Sequence, residues 1–317
     1  MNLDEKYRRF EESFVGTAKR NESLSLYTSF RTGGDADLFA DITDVHQMAD
    51  ALRLAHQLDI ACFVIGGGSN LLVSDDGFRG LIIRNHIRGL AVQENEVIAG
   101  AGEQLDDVVD YATACSLTGA EFASGIWGTI GGAVYGNAGA FGSQIGSVLT
   151  CAELVDALGN IRTEDRDYFA FTYRNSILKK TGEVVTKVTL NLTPGDRNEI
   201  ARRTDEIRRS RSQKHPVDAC SAGCFFKNIE DPSQPNGKLA AGKLLEEAGA
   251  KEITVGHAAV FDRHANIIVN TGGARSQEIR HLADILKKRV KEKFNIDLQE
   301  EVICVGAFTQ EVVSSNT

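Results

Sequence analysis

The chain has 317 residues, 42% apolar and 25% charged, with 35 Lys plus Arg against 44 Asp plus Glu and a formal charge of −9. That composition suits an ordinary folded protein of two or three domains, able to close a core without disulfide or metal staples. The acidic balance argues against a nucleic-acid or anionic-membrane binder, and no apolar run approaches the ~20 residues of a bilayer span.

The charged start, MNLDEKYRRFEESF, holds no signal-peptide core, so a cytoplasmic protein is expected. Residues 1–21 read as a polar helix or tail. Between 43 and 58, Val45, Met48, Ala49, Leu52 and Ala55 share one helical face, with Asp41, Thr43 and Asp44 as possible caps. IACFVI (60–65) reads as a buried strand that runs directly into GGGSN (66–70). Short strands fit 81–84 and 96–99. A second helix fits 103–116, where Leu105, Val108, Val109 and Ala112 share a face. Residues 184–192 alternate, Val188, Leu190 and Leu192 against Lys187, Thr189 and Asn191, as in a half-buried strand. Pro194-Gly195 ends that pattern, and a domain boundary is expected there. A charged helix at 196–213 opens the C-terminal part, and 257–270 reads as strands. The closing helix, from 276, has the apolar face Ile279, Leu282, Ala283, Leu286, Val290 and Phe294. The mix is α+β.

The 31 glycines are clustered: three stand at 66–68 and eight lie between Gly125 and Gly146. Such density means positive φ or a backbone approach too close for a Cβ. GGGSN offers backbone N–H groups and two side-chain donors, which suit a diphosphate as well as a plain tight turn. In the block GIWGTIGGAVYGNAGAFG (125–142) the residues between the glycines are mostly small or apolar, unlike a flexible linker. Two such clusters fit one extended ligand, such as a dinucleotide cofactor, held at two points. The nearest nicotinamide fingerprint, GAGEQL (100–105), lacks its third glycine, which disfavours a standard Rossmann domain. The six cysteines show neither CxxC spacing nor nearby histidines, so no metal site is expected. Cys62, Cys115, Cys151 and Cys304 read as small core residues; Cys224, in SAGCFFKN, does not.

The segments SFRTGG (29–34), VIGGGSNLLVSD (64–75), GIWGTIGGAVYGNAGAFG, YRNS (173–176), SAGCFFKN (221–228), HANIIVN (264–270) and EEVICVG (300–306) follow one another in an order that resembles a single family. That family is the UDP-N-acetylenolpyruvoylglucosamine reductases, flavoenzymes of peptidoglycan precursor synthesis. The resemblance implies a two-subdomain FAD-binding region of the p-cresol methylhydroxylase (PCMH) and vanillyl-alcohol oxidase type, plus a C-terminal α/β substrate domain. The boundaries expected are 22–195 for the first, split near 86, 196–308 for the second, and a tail at 309–317. The short passage from YRNS to the strand at 184–192 resembles the subtype without a substrate-covering insertion. The resemblance implies FAD and NADPH as cofactors and the enolpyruvyl ether of UDP-N-acetylglucosamine as substrate, in a monomer with no nucleic-acid or membrane partner.

Residue by residue, the resemblance assigns Gly66, Gly67, Gly68, Ser69, Asn70, Gly125, Gly128, Thr129, Gly131, Gly132 and Asn137 to the cofactor. Arg174 matches the family arginine that steadies the substrate carboxylate, a planar group that a guanidinium fork suits. On its own, such an arginine equally suits a surface ion pair. Glu301 matches a glutamate that assists the same intermediate, a role requiring its protonated form and hence burial. Glu300 beside it reads as an ordinary solvated acid. Cys224 stands where the family most often has a serine that protonates carbon; a thiol, with an ordinary pKa near about 8.5, can do this at neutral pH. A small core cysteine, or a redox pair with Cys220, is the alternative. Asn228, Lys214 and Arg211 are expected to meet the substrate, although most of the basic helix 202–214 reads as a solvated face. Trp127 stands where relatives often have proline. A flavin oxidase and an idle flavin-binding protein are the competing functions.

Overall fold

In the computed structural model, which describes residues 1–216, 219–234 and 237–308, every strongly periodic segment forms the element its pattern predicts. The helices Val45–Gln57 and Leu105–Ala114 bury Met48, Leu52 and Ala55, and Leu105, Val108, Val109 and Ala112. Asp44, not Asp41 or Thr43, caps the former, its carboxylate accepting from the backbone N–H of His46 and Gln47. The expected tail at 309–317 lies outside the described residues.

The chain divides into two units, Met1–Glu22 with Ala36–Ser69 and Gly80–Val217, and Ser23–Asp35 with Asn70–Arg79 and Asp218–Thr317. The first unit is built on two larger sheets. One has four strands in the order Ala18–Ser23, Asp35–Ile42, Phe78–Asn85, Cys62–Ile65, with Cys62 opposite Leu81 in a parallel pair. Its apolar side packs with Tyr7, Phe10, Met48 and Leu52. The other is a five-stranded antiparallel sheet ordered Ile161–Asp165, Leu149–Val155, Val184–Asn191, Glu96–Gly100, Leu90–Gln93. Val188 and Leu190 enter its core beside Val108, Ile130 and Phe169, while Lys187 and Asn191 face out.

The helix Arg197–Lys214 belongs to this first unit, so the boundary falls after it and not at Pro194-Gly195. Only Ile200 and Thr204 on it are buried. It is held by charge instead: Arg208 reaches Asp106 at 3.1 Å and Asp110 at 2.6 Å, and Arg203 reaches Glu121 at 3.3 Å. Much of this basic helix is therefore engaged with the first unit, not simply solvated.

The second unit is built on the helix Ser276–Phe294, which buries Ile279, Leu282, Ala283, Leu286 and Val290 against Phe225, Phe226, Leu244 and Ile268. The antiparallel strands Thr254–Val255, Ala258–Val260 and Ile268–Asn270 flank it. The excursion through 70–79 joins this unit because Leu71–Val73 pairs in parallel with Ile303–Val305, and Asp75 caps the long helix by accepting from Ser276 and Gln277 N–H at 2.8 and 3.0 Å. Glu300 is not a solvated acid. Arg280 of the helix donates to both its oxygens at 2.7 and 3.0 Å, and Lys287 adds a contact at 2.9 Å.

Among the described residues, which include all six cysteines, there is no disulfide and no metal-ligating cluster, and no helix is long and apolar enough to cross a membrane. Cys62, Cys115 and Cys151 are partly buried, and burial pushes the Cys62 thiol up to about 12. Cys304 is exposed, correcting its reading as core, because its strand lies with that side chain outward near Arg280, 3.7 Å away.

Burial raises the pKa of Glu300, but the hydrogen bonds from Arg280 and Lys287 outweigh it and hold the carboxyl below its ordinary 4.5. A carboxylate depressed in the folded state contributes stability above its unfolded pKa and loses it as pH falls through the folded one. Glu300→Gln is therefore expected to flatten the decline of urea-unfolding stability below pH 4.5 relative to the wild type, leaving the midpoint less changed there than at pH 7.

Candidate active site

In the first unit the two glycine clusters form one structure. A Cβ on Gly66 would come within 2.3 Å of Thr129 Oγ1, one on Gly67 within 2.9 Å of Gly128 Cα, and one on Gly128 within 2.6 Å of Ser69 Oγ. Gly67 would meet backbone and Gly128 has φ +120°, so these two positions require glycine, while at Gly66 the close neighbour is a side-chain hydroxyl. Ser69 Oγ donates to the Trp127 carbonyl at 2.7 Å, locking loop to loop while the Trp127 side chain stays exposed. The clusters therefore do not hold a ligand at two separated points. They make one cradle.

The cradle is braced from outside. Gly125 donates to Asp106 at 2.8 Å, and its carbonyl accepts from Arg211 Nε at 3.0 Å. Arg211, expected on the substrate, thus grips the glycine block, while Lys214 at the helix end is exposed. Gly131 packs on Ala101, where a Cβ would come within 2.8 Å, and Gly132 donates to Thr129 Oγ1 at 3.3 Å. Ser124, which the sequence motifs did not single out, is fully buried and its hydroxyl has no hydrogen-bond partner. A buried unpaired hydroxyl costs on the order of 1–3 kcal/mol. Next to a cradle built for close backbone approach, it suits a polar ligand atom. Its signal was the Ser-Gly pair that opens the block.

Asn137 ties the glycine block to the turn that follows it. Its buried amide donates to Thr172 O at 2.9 Å and Gln144 Oε1 at 3.1 Å, and its oxygen accepts from Gly146 N–H at 3.0 Å. Thr172 opens the turn that carries Arg174. Thr172 and Asn175 exchange backbone hydrogen bonds at 3.1 Å each, leaving Tyr173 and Arg174 at the tip. Arg174 has φ +52°, the left-handed region where a side chain costs roughly 1 kcal/mol and glycine does not. Ser176 Oγ donates to Tyr135 O at 2.7 Å, Arg174 Nη1 to Gly139 O at 2.9 Å and Lys179 Nζ to Arg174 O at 2.7 Å. The strained arginine is thus fastened to the glycine block, and strain maintained by its surroundings is a mark of a working residue.

The second unit brings Cys224 and Glu301 onto adjacent segments. Glu301 N–H donates to Phe225 O at 2.8 Å, and Phe226 pairs with Glu300. Asn70, expected on the cofactor with Ser69, belongs to this unit. Its amide donates to Glu301 O, and its carbonyl accepts from Ile303 N–H, both at 3.0 Å. The unit border cuts GGGSN between those two residues. Asn228 Oδ1 accepts from Ala241 N–H at 3.1 Å at the start of the helix Ala241–Glu247. Cys220 pairs with Asn270 and Cys224 with Ile267. Partners three residues apart lie about 10 Å apart along a strand, beyond the ~7 Å that a disulfide spans, so Cys220 and Cys224 do not form a redox pair in this fold.

A family model described as FAD binding domain matches residues 36–164, which marks the chain as a flavoprotein. A second, the C-terminal domain of UDP-N-acetylenolpyruvoylglucosamine reductase, matches residues 215–305. A reductase of that name from Clostridium novyi is 39% identical over 289 residues, 91% of this chain and 92% of the relative. Another, from Caldanaerobacter subterraneus, is 37% identical over 287 residues, 90% of this chain and 93% of the relative. The crystal structure of the Thermus caldophilus reductase matches with TM-score 0.75 at 31% identity, covering 92% of this chain and 98% of that one. The chain belongs to the UDP-N-acetylenolpyruvoylglucosamine reductase family.

Arg174→Gly removes the side chain and relieves the left-handed backbone. Thermal unfolding is expected to be unchanged or later by a few degrees, while reductase turnover falls by about a hundredfold or more, as for loss of a preorganised charge. Lower stability with normal turnover would contradict both readings of Arg174.

Proposed function

We propose that the protein reduces the enolpyruvyl double bond of UDP-N-acetylglucosamine enolpyruvate to give UDP-N-acetylmuramate, an NADPH-dependent step of peptidoglycan precursor synthesis in the cytoplasm, acting as a monomer. The observation that carries this reading is the pairing of Glu301 N–H with Phe225 O, which sets a proton-bearing thiol and a carboxyl on neighbouring segments of one unit. Reduction of a carbon–carbon double bond needs a group that delivers a proton to carbon, which oxidation of an alcohol does not.

The Gly66–Gly68 and Gly125–Gly132 cradle, with Ser69, Ser124 and Thr129, would hold FAD, as its close-packed backbone and the orphaned Ser124 hydroxyl fit a large polar cofactor. FAD held there and reduced by NADPH would supply hydride chemistry at the terminal alkene carbon. Negative charge then develops on the substrate carboxylate. Arg174 receives it, its guanidinium offering two parallel N–H donors to a planar carboxylate. Glu301 in its protonated form is assigned to assisting the same intermediate. Cys224 transfers its Sγ proton to the carbon next to the carboxylate, completing the saturated product, and regains a proton from solvent. Lys214 and Asn228 are assigned to binding the nucleotide sugar.

The test separates the two half-reactions anaerobically. NADPH should bleach the flavin absorbance of the purified protein, and the enolpyruvyl sugar should restore it. Cys224→Ala should keep the bleaching at the wild-type rate and lose the restoration by about a thousandfold, whereas Cys224→Ser should retain it within about tenfold. Normal restoration in Cys224→Ala would overturn the role of the thiol, and a protein that takes up no FAD would overturn the function.

A further inference from the structure

We propose that Arg280 is a positioning residue that holds Cys224 and Glu301 in register from behind, through their chain neighbours. The inference rests on the assignment of those two residues to the chemistry. The Arg280 side chain is only 12% exposed. Its guanidinium forks onto Glu300, with Nη1 2.7 Å from Oε2 and Nη2 3.0 Å from Oε1. The same group lies 5.9 Å from the centre of the Phe225 ring. Glu300 immediately precedes Glu301, and Phe225 immediately follows Cys224. One planar cation therefore grips both segments that carry the proposed chemistry, and those segments are joined to each other by the hydrogen bond from Glu301 N–H to Phe225 O at 2.8 Å.

The shape of the contact matters more than its charge. A fork fixes the plane of a carboxylate, which a single ammonium contact does not. Lys287 already supplies a charge to Glu300 Oε1 at 2.9 Å, so charge balance alone does not call for Arg280. Two consecutive glutamates also create an ambiguity: successive side chains of an extended segment leave on opposite faces, and either carboxyl is chemically fit for either face. Holding Glu300 against the helix Ser276–Phe294 commits Glu301 to the opposite side. Asp284, one helical turn on, completes the set by accepting from Arg280.

The experiment uses the FAD-loaded protein and compares Arg280→Met, Arg280→Lys, Glu301→Gln and the double variant Arg280→Met/Glu301→Gln. A further double variant, Arg280→Met/Glu300→Met, removes the fork without leaving a buried unpaired charge, in case Arg280→Met alone does not fold. Readouts are flavin bleaching by NADPH, flavin recolouring by the enolpyruvyl sugar, and the dissociation constant of the product measured without turnover. Loss of positioning should slow recolouring by about tenfold to a hundredfold, with bleaching and product binding within about twofold of wild type. Arg280→Lys should recover only part of the loss. Because Arg280 acts partly through Glu301, adding Arg280→Met to Glu301→Gln should slow recolouring by less than Arg280→Met does alone. Wild-type recolouring in both fork-free variants, or a full additional loss in the Glu301→Gln background, overturns the proposal while leaving Glu301 in its role. Wild-type recolouring in Glu301→Gln overturns both.

Discussion

Two stretches of backbone approach each other at Gly67 and Gly128 more closely than any side chain would allow, and much of the first unit is arranged to keep them there. A Cβ on Gly67 would stand 2.9 Å from Gly128 Cα. On one side Asp106 and Arg211 hold Gly125, tying the contact to the helices Leu105–Ala114 and Arg197–Lys214. On the other, Asn137, Tyr135 and Gly139 fasten the turn of Arg174. The ligand cradle and the charge that would serve the substrate are thus one mechanical unit. That explains how an arginine persists in a left-handed conformation that glycine would occupy more cheaply.

The second unit applies a different device to a similar problem. The residues assigned to the chemistry sit on short, irregular segments with little regular sheet to fix them. Long-range polar contacts fix them instead. Asn70 reaches the Glu301 carbonyl, Glu301 N–H reaches Phe225 O, and Asn266 binds both the N–H and the carbonyl of Phe226 at 2.9 and 2.8 Å. Each satisfies backbone groups that would otherwise be buried without partners, so precision and stability have the same source.

What was legible in the sequence followed from periodicity and chemistry that are local. The face of the helix Ser276–Phe294 and the alternation around Val188 depend on neighbours within a few residues, and both are present as expected. The glycine clusters announced close backbone approach or positive φ, but not that the two clusters pack on each other. The domain boundary was not legible, because Pro194-Gly195 breaks a strand without ending a unit, and the helix after it is held by ion pairs with Asp106 and Asp110 far back in the chain. The structural partners of Asn70 and Asn137, Glu301 and Thr172, lie far off in the chain and are visible only in three dimensions. Glu300 was misread for the same reason, since Arg280 lies on another element.

The account turns on Cys224 being the acid that delivers a proton to carbon. The most direct measurement is the pH dependence of flavin recolouring by the enolpyruvyl sugar in wild type and in Cys224→Ser. The account predicts that the wild-type rate falls at alkaline pH as the proton-delivering form of the thiol is lost, and that the serine variant lacks this fall. An identical alkaline decline in both proteins would contradict it.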